Sequence, residues 1–304
     1  MMRNAVCLTV LLLANAAASL AQTDPRFSTK PAGVIVSGKK LEPEKAVDLS
    51  RPNPQGALDA TSSEDLYFDA AMRGEAWAQT KLGRAYLESS DDEEQRRKGI
   101  ELLQKAAAQK DAEALYVLAN MTAAGLGAQP SHITAGEKLQ EAAELGNTEA
   151  QYELASMYAE GRGLPKDSNL ALHWGQKAAD QGNVKAQFSV GRVLVERPEP
   201  EQKAEALRYL RLAAGAKDQT AVIFLATVLA RGDFGVTKNE YEAEATLNPL
   251  AESGDPECQF ALANLYQIGE VFTDRHDMAT TWLRRAADQG HAKSAEILEA
   301  SGRR

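Results

Sequence analysis

Residues 147–182 read NTEAQYELASMYAEGRGLPKDSNLALHWGQKAADQG, and this stretch decides the fold. Its first half places Ala150, Leu154, Ala155 and Tyr158 at spacings of four, one and three, which put all four on one helical stripe. Gly161-Arg162-Gly163 then interrupts the pattern. A second helical stretch follows, from about Ala171 to Ala178-Ala179. Gly182 suits the left-handed residue that ends a helix, and Asn183 after it suits the cap of the next one. The unit is therefore helix, loop, helix, stop.

The same unit recurs outward in both directions with a period near 36, a self-similarity that marks stacked repeats. The blocks are 75–110, 111–146, 147–182, 183–217, 218–254 and 255–290. The fourth position holds Ala78, Ala114, Ala150, Ala186, Ala221 and Cys258. The ninth holds only Gly83, Gly191, Ala119, Ala155, Ala226 and Ala263, so a second helix can approach closely. One helix pair cannot bury its own apolar face, but stacked pairs can. Asp65–Arg73 reads as a lone second helix and His291–Ala300 as a lone first helix, two half-repeats that suit capping elements. Glu299 stands where other first helices carry Gly or Ala, and a charge there opposes further stacking.

The other segments differ. Arg3, the apolar stretch Ala5–Leu13 and the small residues Ser19 and Ala21 read as a secretory signal peptide over 1–21, with an apolar core too short for a membrane span. Residues 22–61 carry Pro25, Pro31, Pro43, Pro52 and Pro54 and read as a Pro-rich flexible leader; its apolar cluster Val34-Ile35-Val36 is a candidate docking strand. The solenoid is expected over 62–301. Formal charge is −9, and −10 once 1–21 are removed, because Arg3 is the only charge among them. An acidic chain without a basic stripe argues against nucleic acid and anionic membranes as partners. No segment after the signal peptide approaches transmembrane length. Cys258 is the only cysteine of the mature chain, so no internal disulfide is available and stability comes from packing.

These repeats resemble the Sel-one-like repeat family, relatives of the tetratricopeptide repeats, whose pattern is roughly AQxxLGxxYxxGxGVxxDxxKAxxWxxKAAxxG. The match is sharpest over 147–182 and 255–290. The resemblance implies an all-α fold: a right-handed α/α superhelical solenoid of about six helix-turn-helix repeats with half-repeat caps, serving as an adaptor. Three departures predict irregularities. Ser89–Glu94 and Arg197–Pro200 replace the Gly-x-Gly loop in their blocks, and Pro249 is expected to kink or shorten its helix.

No residue pattern points to catalysis, a cofactor or a metal. Gly125-Leu126-Gly127 and Gly161-Arg162-Gly163 lack the strand and the further glycine of a phosphate loop. His132, His173, His276 and His291 form no ligand motif, and His132 and His276 share a repeat position four blocks apart. Cys258 occupies an alanine slot and reads as core. Ser37-x-x-Lys40 stands in the leader without partner motifs. A second stripe of the first helices is the candidate site. The sixth positions are Thr80, Tyr116, Tyr152, Phe188, Ile223 and Phe260, and the tenth include Arg84, Asn120, Arg192 and Asn264. By similarity to tetratricopeptide repeats this stripe lines a concave groove, where aromatics beside arginine and asparagine suit an extended peptide or a partner helix. The aromatics also suit packing between neighbouring repeats. The function expected is a non-enzymatic adaptor in the periplasm of a Gram-negative bacterium, binding a protein partner. The alternatives are a polysaccharide-binding scaffold and a peptidoglycan or β-lactam hydrolase.

Overall fold

The computed structural model describes residues 63–89, 93–126, 130–268 and 276–302. The expected signal peptide and leader lie outside them. The described residues form fourteen α-helices and no strand. The chain divides into two compact units, Met1–Leu145 and Gly146–Arg304.

The first unit holds α1 (Ser63–Met72), α2 (Ala76–Ser89), α3 (Glu93–Ala108), α4 (Ala112–Ala124) and α5 (His132–Glu144). Helix α1 packs on α2 as the lone second helix expected; α2/α3 and α4/α5 are the first two repeats. The second unit holds four more pairs: α6 (Thr148–Glu160) with α7 (Ser168–Asp180), α8 (Val184–Val195) with α9 (Pro200–Gly215), α10 (Gln219–Arg231) with α11 (Glu240–Glu252), and α12 (Pro256–Ile268) with α13 (His276–Asp288). The lone helix α14 (Ala292–Gly302) follows.

Alanine and glycine set the spacing. Ala78, Ala114, Ala150, Ala186, Ala221 and Cys258 are all fully buried, so the fourth position sits at the centre of each repeat. At the ninth position Gly83 meets Gly99 of α3: a Cβ added to Gly83 would lie 2.9 Å from the Gly99 carbonyl oxygen. Leu154, Leu225 and Leu262, at the eighth position, are at most 1% exposed, and burying each contributes about 2 kcal/mol.

Caps repeat with the same regularity. Asp111, Asn147, Asn183, Asp218 and Asp255 each accept the amide of the residue three further on at 2.8 Å. Such a cap is worth about 1 kcal/mol. Before each of them the chain turns through a left-handed residue. Gly146, Gly182 and Gly254 fill three of these places, but Lys110 and Lys217 fill the others at φ 62°.

The three departures from the repeat pattern take the following forms. Of the polar stretch Ser89–Glu94, Ser89 ends α2 and Glu93 already starts α3, where two acidic residues favour a helix N-terminus; residues 90–92 lie outside the described residues. Pro200 likewise opens α9 at its first turn, where a proline removes no helical bond. Pro249 does not shorten α11, which runs 13 residues like α6 and α7. It lies in the last turn and is exposed, so the helix continues past it by one bond from Ser253 N–H to its carbonyl.

Candidate partner-binding face

The candidate stripe divides between the two units. In the first, Tyr116, Asn120 and Arg84 are half-buried. The Arg84 guanidinium is committed to Glu113 of α4 and to Glu88, and Lys81 Nζ also reaches Glu113 at 2.9 Å. Burial works against the charge on Glu113, but hydrogen bonds from Lys81 and Arg84 outweigh it and hold its pKa below the usual carboxylate value. Thr80 differs from the aromatic residues that share its repeat position. It is buried, and its hydroxyl lies 3.0 Å from the capping carboxylate of Asp111.

In the second unit Tyr152, Phe188, Ile223 and Phe260 are half-buried on successive first helices, each resting on the core below. Phe188 meets Phe224 of α10 edge to face at 5.8 Å between ring centroids. Phe260 lies 4.7 Å from the ring of His291. The Phe188 and Phe260 rings thus pack against the following first helix and are only partly covered. Arg192 is exposed beside them and forms no ion pair with a described residue; Asn264 is half-buried.

The residues read as structural occupy structural places. Cys258 is fully buried, and burial, then the Asp255 carboxylate, push its thiol up to about 12, so the reactive thiolate is disfavoured. His291 takes the capping place of α14: its Nδ1 accepts the Ser294 amide at 3.2 Å, as Asn147 accepts from Ala150. Trp174 and Trp282 are 8% exposed, each under a cation, Lys177 and Arg285. Among the described residues no group of three or more His, Cys, Asp and Glu is placed to hold a metal, and no helix is long and apolar enough to cross a membrane.

One recurrent element has no counterpart in the apolar pattern. Gln79, Gln187 and Gln259, at the fifth position, are buried and donate to the carbonyls of Ala71, Ala179 and Ala251 at the end of the preceding second helix. In the 75–110, 147–182 and 255–290 repeats a glutamine at the end of the second helix donates to the fifth-position glutamine of the same repeat: Gln109 to Gln79, Gln181 to Gln151 and Gln289 to Gln259, at 2.7–3.0 Å. This amide latch ties the two helices of a repeat to each other and to the one before. Its sequence signal is the recurrence of Gln at both places. The 111–146 repeat has Leu115 and Leu145 there instead.

Stacked helix pairs with this spacing define an α-helical repeat protein. The Sel1 repeat family matches residues 78–111, 112–147, 148–183, 184–218 and 256–291, more than half of the chain, which therefore belongs to it. Sel1 repeat proteins generally mediate protein–protein interaction. Several solved structures resemble the chain. One is a protective antigen of uropathogenic Escherichia coli strains with an SLR fold, 28% identical over 76% of this chain with a TM-score of 0.61. Another is a Sel1 repeat protein from Oxalobacter formigenes, 28% identical over 78% of this chain with a TM-score of 0.60. The chain spans 50% of the length of the first and 68% of the second. No curated protein matches closely enough to be compared.

Proposed function

We propose that this chain is an exported, non-enzymatic scaffold, working in the periplasm of a Gram-negative bacterium, that holds a protein partner on its first helices. The observation that carries this is the line of half-buried side chains Tyr152, Phe188, Ile223 and Phe260 in the second unit. A ring anchored in the core loses little side-chain entropy on binding, and such anchors dominate protein interfaces. Arg192 and Asn264 beside it supply donors for backbone carbonyls or carboxylates of a peptide or a helix. In the first unit Tyr116 and Asn120 offer the same chemistry, with Arg84 already engaged by its own carboxylates. Export rests on the signal-peptide pattern of residues 1–21. Adaptors of envelope signalling, polysaccharide export or motility all fit this reading.

The test is capture from an envelope extract by the mature chain and by its Tyr152→Ala/Phe188→Ala variant. The variant is expected to keep its helical circular dichroism and to lose its partners. If it folds and keeps every partner, the face is not the binding site.

A further inference from the structure

The inter-repeat slot beside the second helices is filled by an aromatic ring in the 183–217 and 255–290 repeats and open in the 111–146 repeat. In the 183–217 repeat Tyr209 of α9 fills it. The ring is 1% exposed, and its hydroxyl donates to Asp180 of α7 at 2.7 Å. In the 255–290 repeat Trp282 takes the same repeat position. In the 111–146 repeat that position is Lys138, and Ala108 stands where Tyr209 has Asp180.

A cleft of about 380 Å³ lies there, within the first unit. Leu115 and Leu118, both buried, and Ala107 and Ala108 give it an apolar floor. The latch that would cross it is absent, because Leu115 replaces the glutamine that in Gln187 spans to Ala179. Its rim carries Lys110, Lys138 and Glu141. None of the three forms an ion pair with a described residue, so the rim has an excess of one positive charge. Lys110 is also held at φ 62° where Gly182 stands in the filled counterpart, a conformation costing a lysine about 1 kcal/mol.

We infer that this cleft is a docking site for an aromatic side chain, tryptophan or tyrosine, presented by an acidic segment of a protein partner. The occupant follows from the chain's own repeats. The same repeat position holds Tyr209 and Trp282 elsewhere, whereas here it holds Lys138, with Glu141 where Arg285 lies over the Trp282 ring and Lys110 also on the rim. A ring on Leu115 and Leu118 would lie between two lysines, which attract both its face and neighbouring carboxylates. Glu141 and Gln104 on the lining offer acceptors for the indole N–H or phenol O–H, the part that Asp180 plays for Tyr209.

The test uses the mature chain and three fluorescein-labelled pentapeptides, Asp-Glu-Trp-Glu-Asp, its Leu-centred form and its Lys-flanked form Lys-Lys-Trp-Lys-Lys, followed by anisotropy. The acidic tryptophan peptide is expected to bind saturably, at least tenfold more tightly than either control. Lys138→Trp, which plugs the slot from within, is expected to weaken it at least tenfold. Lys110→Glu/Lys138→Glu, which keeps the cleft open, is expected to turn the preference towards the Lys-flanked peptide, so the proposal stays testable if the plugged variant misfolds. Tyr152→Ala/Phe188→Ala is expected to leave this binding unchanged, which separates the cleft from the first-helix face. The proposal is overturned if the wild type binds none of the peptides, if neither substitution in the cleft changes binding, or if the Tyr152/Phe188 variant abolishes it.

Discussion

The 183–217 repeat and the 111–146 repeat share one frame and close it differently. Both pack a small ninth residue, Gly191 or Ala119, against the second helix, and both cap the first helix with a carboxylate or amide, from Asn183 or Asp111. Around that frame the first repeat has a buried glutamine, an inter-repeat tyrosine and Gly182 in the left-handed place. The second has Leu115, Lys138 and Lys110. The frame is maintained by small residues and caps, while the latch and the slot are free to vary. Variation there does not unfold the pair; it opens a surface.

The largest test of that division falls on the frame. Gly83→Val should cost about 3 kcal/mol in urea denaturation, because the Gly99 carbonyl at 2.9 Å from the new Cβ is backbone and moves only with its helix. A cost below about 1 kcal/mol would mean that close approach at the ninth position does not hold the pair. The latch comes next. Gln259→Leu should cost about 1 kcal/mol, since it removes one bond to the Ala251 carbonyl and one from the Gln289 amide, although Gly254 N–H and the Arg285 carbonyl remain as their other partners. If Gln259→Leu is neutral, the amide latch contributes nothing that leucine does not.

The two repeats should also differ in the left-handed place. Lys110→Gly and Lys217→Gly each relieve a residue held at φ 62° and should raise stability by about 1 kcal/mol, whereas Gly182→Lys should lower it by a similar amount. Equal and null effects in calorimetry would remove this distinction. The smallest effect is confined to alkaline pH. Burial, then Asp180, push the Tyr209 hydroxyl up from 10.0 to about 12, and burial pushes Cys258 up from 9.0 to about 12. Both are protonated more firmly when folded, so their contribution is complete below pH 9.0 and declines as pH rises towards about 12. Cys258→Ala should shift the onset of that decline upwards; an unchanged profile would show that the thiol does not titrate in this window.

The frame was legible in the sequence because it rests on spacing. Alanine at the fourth position, Gly or Ala at the ninth, and Asn or Asp after a glycine state the helix boundaries directly. The half-repeats at Asp65–Arg73 and His291–Ala300 were legible by the same register. The latch escaped because Gln79 and Gln259 are polar residues with no place in an apolar pattern, although they are 5% and 3% exposed. The length of α11 is not legible from Pro249 alone, because a proline's effect depends on which turn holds it. The open slot was not legible either. Lys138 reads as an ordinary surface lysine until Tyr209 is seen reaching Asp180 in the sister repeat.

The comparison is tested most directly by moving the filled slot into the open one. Ala108→Asp/Lys138→Tyr transplants the Asp180–Tyr209 pair onto α3 and α5. In a double-mutant cycle followed by urea denaturation, the pair should be more stable than the sum of its single changes by about 1 kcal/mol. Two additive substitutions, or a pair that destabilises more than its parts, would contradict the view that the 111–146 repeat carries the same slot left open.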